Sequence, residues 1–137
     1  MIDIFDGPYA FLSNFYDAAV SYAGLDYLNS EAAFQAQKCP SRAKEFCDLP
    51  PNKAKRLGRK VELRADWDLI KNNVMYEVVK AKFTQNPDLR KKLLDTGCEE
   101  LVEGNYWNDK YWGICNGEGL NMLGKILMIV RDELRDV

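Results

Sequence analysis

Four of the five prolines in this 137-residue chain stand where an apolar-periodic segment begins, and that placement divides most of it into short helices. Proline fits the first turn of a helix, where its missing N–H would have no partner, and breaks a helix further in. Pro40 is therefore read as opening a short helix through Phe46, and Pro50-Pro51 as opening another with Ala54, Leu57 and Val61 on one side. Asn86-Pro87 opens a third, which carries Leu89, Leu93 and Leu94 and ends at Thr96-Gly97. Asp66 is read as the N-cap of the longest helix, whose stripe Ile70, Val74, Val78 and Ala81 reaches toward Phe83. A final helix runs from Met122 to about Leu134. Strand signals are few: Ile2–Phe5 is extended, and Ala19–Tyr22 with Leu25–Tyr27 reads as a hairpin turning near Ala23-Gly24. The expected fold is mainly α (α+β), a single compact multihelical domain over 1–137 with a small peripheral β-sheet or hairpin.

A hydrophobic content of 47% supports a real core, and no repeat or low-complexity tract divides the chain. The 19 basic residues are read as dispersed among 21 acidic ones, for a net charge of −2. That balance argues against an extended footprint on duplex nucleic acid and leaves room for a nucleotide-sized ligand. The chain has no histidine, which removes both the commonest general base and the commonest metal ligand. Cys39, Cys47, Cys98 and Cys115 form no Cys-x-x-Cys pair and are expected to be buried free thiols in a reducing cytosol. No cofactor or metal is expected. Neither a leader-like N-terminus nor a membrane-length apolar run is read, so the expected location is the cytoplasm, with no membrane partner.

Catalysts must then come from carboxylates and amines, and Ser30-Glu31-Ala32-Ala33-Phe34-Gln35-Ala36-Gln37-Lys38 offers both. Read as a helix, the segment stacks Glu31, Gln35 and Lys38 on one face within about two turns. The same charges also suit the helix dipole, with Ser30 as N-cap, Glu31 in the first turn and Lys38 near the end. Two loops add candidates. Phe11-Leu12-Ser13-Asn14-Phe15-Tyr16 places Asn14 for sugar hydroxyls and Phe15 or Tyr16 for stacking, or else is a turn among core aromatics. Gly104 to Asn121, rich in Gly, Asn, Asp and aromatics, could stack a ring and offer N–H groups to phosphate, or be a packed surface turn. Gly117-Glu118-Gly119 within it is not a dinucleotide fingerprint.

Taken in order, several stations resemble the YbiA-like family, also called the NADAR superfamily. They are Ser13-Asn14-Phe15; Ser30-Glu31 with Phe34-Gln35-Ala36-Gln37-Lys38; Leu57-Gly58-Arg59; Trp67; Met75; Lys82-Phe83; Leu101-Val102-Glu103; Asp109 with Tyr111-Trp112-Gly113; and Asn121 with Leu123-Gly124, Leu127-Met128 and Arg131. The resemblance implies an N-glycosidase acting where C1 of a ribose joins an exocyclic amine. Its implied substrates are ribosylamine phosphates of riboflavin biosynthesis or ADP-ribose on guanine, with ADP-ribosylated nucleic acid admitted as a partner. Two positions depart from the family pattern: Ala32 replaces a histidine common after the glutamate, and Gly113-Ile114-Cys115 replaces a Gly-Asp-Gly type sequence.

On this resemblance Glu31, Lys38 and Asp109 are the catalytic candidates. Lys38 would attack a ring-opened sugar imine as a neutral amine, or Glu31 and Asp109 would act as paired carboxylates. Asn14, Phe15, Trp67, Trp112, Gly113, Asn121 and Arg59 are the substrate-binding candidates, Arg59 for phosphate; Trp67 is alternatively a core anchor. Glu103 would support the site or simply end a strand. The alternatives to an enzyme are a non-catalytic ADP-ribose or nucleotide-binding module and a structural helical domain.

Overall fold

A computed structural model describes residues 1–136. These contain five α-helices, two 3-10 helices and two sheets of two strands, the mainly helical α+β composition expected. No helix among the described residues is long and apolar enough to cross a membrane. The chain divides into two units, residues 14–86 and residues 1–13 with 87–136.

In the first unit, β1 (Val20–Tyr22) and β2 (Leu25–Tyr27) form an antiparallel hairpin, Val20 opposite Tyr27. Its two-residue turn takes positive φ at both positions, Ala23 at 51° and Gly24 at 85°, the geometry that follows strand twist. α1 (Ser30–Ala36) follows, and its N-cap is Asn29 rather than Ser30: the Asn29 side chain accepts from the Ala32 N–H at 2.8 Å. The helix ends at Ala36, so Lys38 lies in the succeeding turn, where its N–H bonds the Gln35 carbonyl at 3.1 Å. The segment Pro40–Phe46 is 3-10, with Ala43 and Phe46 buried. α2 (Pro51–Gly58) starts at the second proline of its pair, as proline at N1 favours, and buries Ala54 and Gly58.

α3 (Trp67–Gln85) is the longest helix. Asp66 stands at its N-cap but makes no capping bond, because its carboxylate pairs with Arg64. The buried face carries Trp67, Val74, Met75, Val78, Val79, Lys82 and Phe83, wider than the expected stripe, while Ile70 and Ala81 are only half-buried. A helix flanked on two sides needs such breadth, and α3 packs against both α1 and β1.

In the second unit, the expected Ile2–Phe5 strand reduces to a parallel bridge between Ile2 and Leu101, with Ile2 N–H to Glu100 O and Val102 N–H to Ile2 O both at 2.8 Å. α4 (Pro87–Asp95) starts at its proline. Past its end the Thr96 hydroxyl bonds the Leu93 carbonyl, and Gly97 takes φ 65°, a left-handed stop. α4, which buries Leu89 and Leu93, packs on α5 (Met122–Arg135), whose buried residues include Leu127 and Val130. Buried Arg131 ties α5 to the Thr96 hydroxyl and the Glu99 carbonyl at 2.9 and 2.8 Å. Between these helices β3 (Gly104–Asn105) and β4 (Ile114–Cys115) pair in parallel.

The four cysteines are free, but only Cys39 and Cys115 are buried; Cys47 is half-exposed and Cys98 exposed, contrary to four buried thiols. Cys98 follows the α4 stop, where the chain turns through solvent, and periodicity gives no burial signal in such a turn.

Candidate functional site

Glu31 sits in the first turn of α1, where the helix dipole favours a carboxylate. Its backbone N–H bonds the Asn14 carbonyl at 3.1 Å, and the Ser30 hydroxyl donates to the Asn14 side-chain oxygen at 2.9 Å. The Asn14 amide nitrogen reaches the Met75 sulfur at 3.3 Å. Asn14 is thus buried and spent on holding the loop, the α1 start and α3 together. One turn along, the Gln35 amide donates to the Glu31 carboxylate at 2.8 Å. Gln35 is itself fixed by α2: a Cβ on Gly58 would fall 2.0 Å from the Gln35 Oε1. The glycine is there because the glutamine needs its space.

Lys38 is half-buried at the end of this strip, its carbonyl held by the Arg64 N–H at 2.9 Å. Burial pushes its ammonium below the ordinary lysine pKa. Glu31 opposes that shift, while Arg59, Lys55 and Lys71 reinforce it. Past the end of α1, Lys38 still lies within electrostatic range of Glu31 and of the cations Lys55, Arg59 and Lys71. The Lys38 Nζ lies 6.0 Å from the Trp67 ring centroid, and that ring meets Phe34 at 5.2 Å and 58°. At 5% exposure, Trp67 is an anchor for the strip rather than an open stacking face. Phe15 is the open one: 44% exposed, with the Lys55 Nζ 5.9 Å from its centroid.

Asp109, Trp112, Gly113 and Asn121 gather in the other unit. The Asp109 Oδ1 accepts from the main-chain N–H groups of Tyr111 and Trp112 at 3.1 and 2.9 Å, while the Asn105 side chain brackets the Asp109 backbone. This is an Asx-type turn that sets the loop's shape. The Trp112 ring packs edge-on against Tyr111, 4.8 Å between centroids. Gly113 lies against Glu103, where a Cβ would come 2.1 Å from its backbone oxygen. Asn121, at φ 52°, accepts from the Glu103 N–H and donates to the Leu101 carbonyl. The side chains of Asn105, Asp109 and Asn121 all serve the loop's architecture.

Lys55 and Lys71 carried no role in the sequence reading, although Lys55 stands four residues before Arg59 and hence on the same face. Lys82, quoted with Phe83 among the family stations, was likewise given no role. It is 1% exposed, its Nζ lies over the Tyr16 and Phe83 rings at 5.7 and 5.1 Å, and burial lowers its pKa to about 7. Beyond that station, a lysine inside an otherwise apolar face was its sequence signal.

Residues 4–135 match the model of the NADAR domain. An N-glycosidase of Nostoc punctiforme is 40% identical over 95% of this chain and 88% of its own length. The N-glycosidase YbiA of Escherichia coli is 38% identical over 92% of the chain and 82% of its length. A riboflavin biosynthesis protein of Vibrio vulnificus is 38% identical over 96% of the chain, which spans 37% of that longer protein. The NMR structure of E. coli YbiA superposes with a TM-score of 0.85 at 36% identity, covering 99% of this chain and 88% of that one.

Proposed function

The chain belongs to the NADAR domain family, and from that premise we propose that it is an N-glycosidase cleaving the bond between C1 of a phosphorylated ribose and an exocyclic amine. Ribosylaminopyrimidine phosphates and ADP-ribosylated guanine are the two substrate types that fit this description. The observation that carries the reading is the Glu31–Lys38 strip: a carboxylate held by Gln35 beside an amine whose charged form is disfavoured by burial and by three cations.

In the ring-opened substrate, C1 is an iminium carbon bonded to the departing amine. Neutral Lys38 adds to it, Glu31 takes a proton from the newly bonded Lys38 nitrogen and passes it to the departing nitrogen, and the amine leaves with a Lys38 iminium in its place. Water then adds to that iminium, releasing the sugar aldehyde and returning the lysine. Every bond formed is matched by one broken, and no redox step is involved. Lys55, Arg59 and Lys71 offer the charge that a sugar phosphate needs.

Borohydride added during turnover should leave a reduced sugar adduct on Lys38, found by peptide mass spectrometry. Turnover with no adduct at Lys38 overturns the imine route and favours direct hydrolysis. Tight ADP-ribose binding with neither substrate type cleaved identifies a binding module instead.

A further inference from the structure

We propose that Gln35 is a positioning residue for this reaction: locked against Gly58 with its amide nitrogen turned to Glu31, it keeps the Glu31 side chain ionised and in one place, so that Glu31 opens each turnover as a proton acceptor. The inference rests on the N-glycosidase reading for what that carboxylate does, but its main measurement is made on the protein alone.

Three observations meet at this amide. Gln35 is 6% exposed, one turn along α1 from Glu31, and its Nε2 donates to the Glu31 Oε2 at 2.8 Å. Its other end, Oε1, is buried with no hydrogen-bond partner among the described residues. That oxygen occupies the slot left by the side chain Gly58 lacks, where a Cβ would come 2.0 Å from Oε1 and 2.7 Å from Cδ.

The unpartnered oxygen decides which way the amide faces. Turned over, the amide would bury its NH2 group in the slot, leaving two donors without acceptors where now one acceptor goes without a donor. It would also set its own oxygen against the carboxylate. The slot therefore selects the rotamer that donates to Glu31, and a donor favours the ionised carboxylate over the neutral acid. A glutamic acid acting first as a proton donor would need the reverse, a carbonyl facing its hydroxyl. The nitrogen of Lys38, once added to the sugar carbon, has to shed a proton before the amine leaves, and an ionised Glu31 is the group that can take it.

The charges around the strip act in the same direction without fixing a geometry. α1 packs against α2, α3, the hairpin and the 3-10 helix Pro40–Phe46. Lys55 and Arg59 of α2 and Lys71 of α3 act on Lys38 alongside Glu31. On the 3-10 helix Arg42 pairs with Glu45 in solvent and Lys44 acts on Cys47, while on the hairpin Asp26 accepts from the Ser21 hydroxyl and Tyr22 donates to Glu77. Cations on long side chains favour a carboxylate from many positions. A single amide held at both ends favours it in one.

The test follows the Glu31 carboxyl by 13C NMR in protein labelled at glutamate, its signal identified by its absence from Glu31→Gln. In Gln35→Met, which keeps the bulk and removes the donor, Glu31 should hold its proton about tenfold more tightly, so that its signal titrates at higher pH than in the wild type. The same variant should lose at least about tenfold in kcat with KM within about twofold, and lose more as the pH is lowered. Lost packing alone would lower the thermal midpoint without moving the Glu31 titration. Should Gln35→Met fail to fold, Gln35→Leu takes its place. Gly58→Ala supplies the second arm: by displacing the amide it should move the Glu31 titration in the same direction, and in the Gln35→Met background it should move it no further. The proposal is overturned if Glu31 titrates in Gln35→Met as it does in the wild type, or if Gly58→Ala shifts it equally in both backgrounds. A wild type that cleaves neither substrate type defeats the N-glycosidase reading instead, whichever way Glu31 titrates.

Discussion

At the scale of single residues, Glu31 and Asp109 are both carboxylates with their oxygens engaged, and the kind of engagement separates them. Glu31 accepts from a side-chain amide, that of Gln35. Glu31→Gln should therefore lower kcat by at least about 100-fold, the usual scale of lost acid–base work, with little change in thermal midpoint. Asp109 accepts from two main-chain N–H groups, and Asp109→Asn keeps an acceptor oxygen for them. If Asp109 acts by shaping its loop, Asn retains most activity and Ala loses it; a large loss in the Asn variant with a native thermal midpoint would assign the charge a direct part in the chemistry. Lys82 makes a prediction of a different kind. Its pKa of about 7 in the folded protein lies below the ordinary 10.5, so between those values the unfolded chain holds a proton that the folded chain does not. Stability should rise with pH from about 7 toward 10, and Lys82→Met should flatten that rise, read by urea denaturation at several pH values.

At the scale of elements, punctuation was legible and helix length was not. Pro40, Pro51 and Pro87 each open the helix expected of them, because a missing N–H is a constraint local to the backbone. Asn29 displaced Ser30 as the cap of α1 because both are good capping residues and only tertiary geometry selects between neighbours. α1 stops at Ala36 with no proline or glycine to announce it, so the helical face drawn through Lys38 was wrong in its last turn, although the amine still reaches Glu31 electrostatically. The Gln35–Gly58 contact lay beyond sequence reasoning, since it joins two helices through an absent side chain. Gly58→Ala should push the Gln35 amide off Glu31, cost about 1–3 kcal/mol and reduce turnover, checked by denaturation and by kcat. The hairpin gives the opposite sign. Ala23 holds φ at 51°, a strain that asparagine tolerates, so Ala23→Asn should gain up to about 1 kcal/mol and raise the thermal midpoint.

At the scale of the whole molecule, the cations Lys55, Arg59 and Lys71 that act on Lys38 make ionic strength the simplest probe of what is bound. A ribosylamine lacking its phosphate should lose at least about tenfold in kcat/KM and most of its salt dependence, measured beside the phosphorylated form in one mass-spectrometric assay. The family was legible because its stations are spread over nearly the full chain and recur in order. The assignment of duties among them was not, because Asn14, Trp67 and Asn121 look alike in sequence whether they hold a ligand or hold the protein. The bridge between Ile2 and Leu101 bears on synthesis rather than on chemistry. It closes a loop of nearly 100 residues, at an entropic cost of about 4 kcal/mol. It also waits on residues 99–102, which leave the ribosome long after residues 14–86, a unit formed by one continuous stretch. During translation the Glu31–Lys38 strip should be assembled first, with the opening residues of the chain held in reserve until the last third arrives.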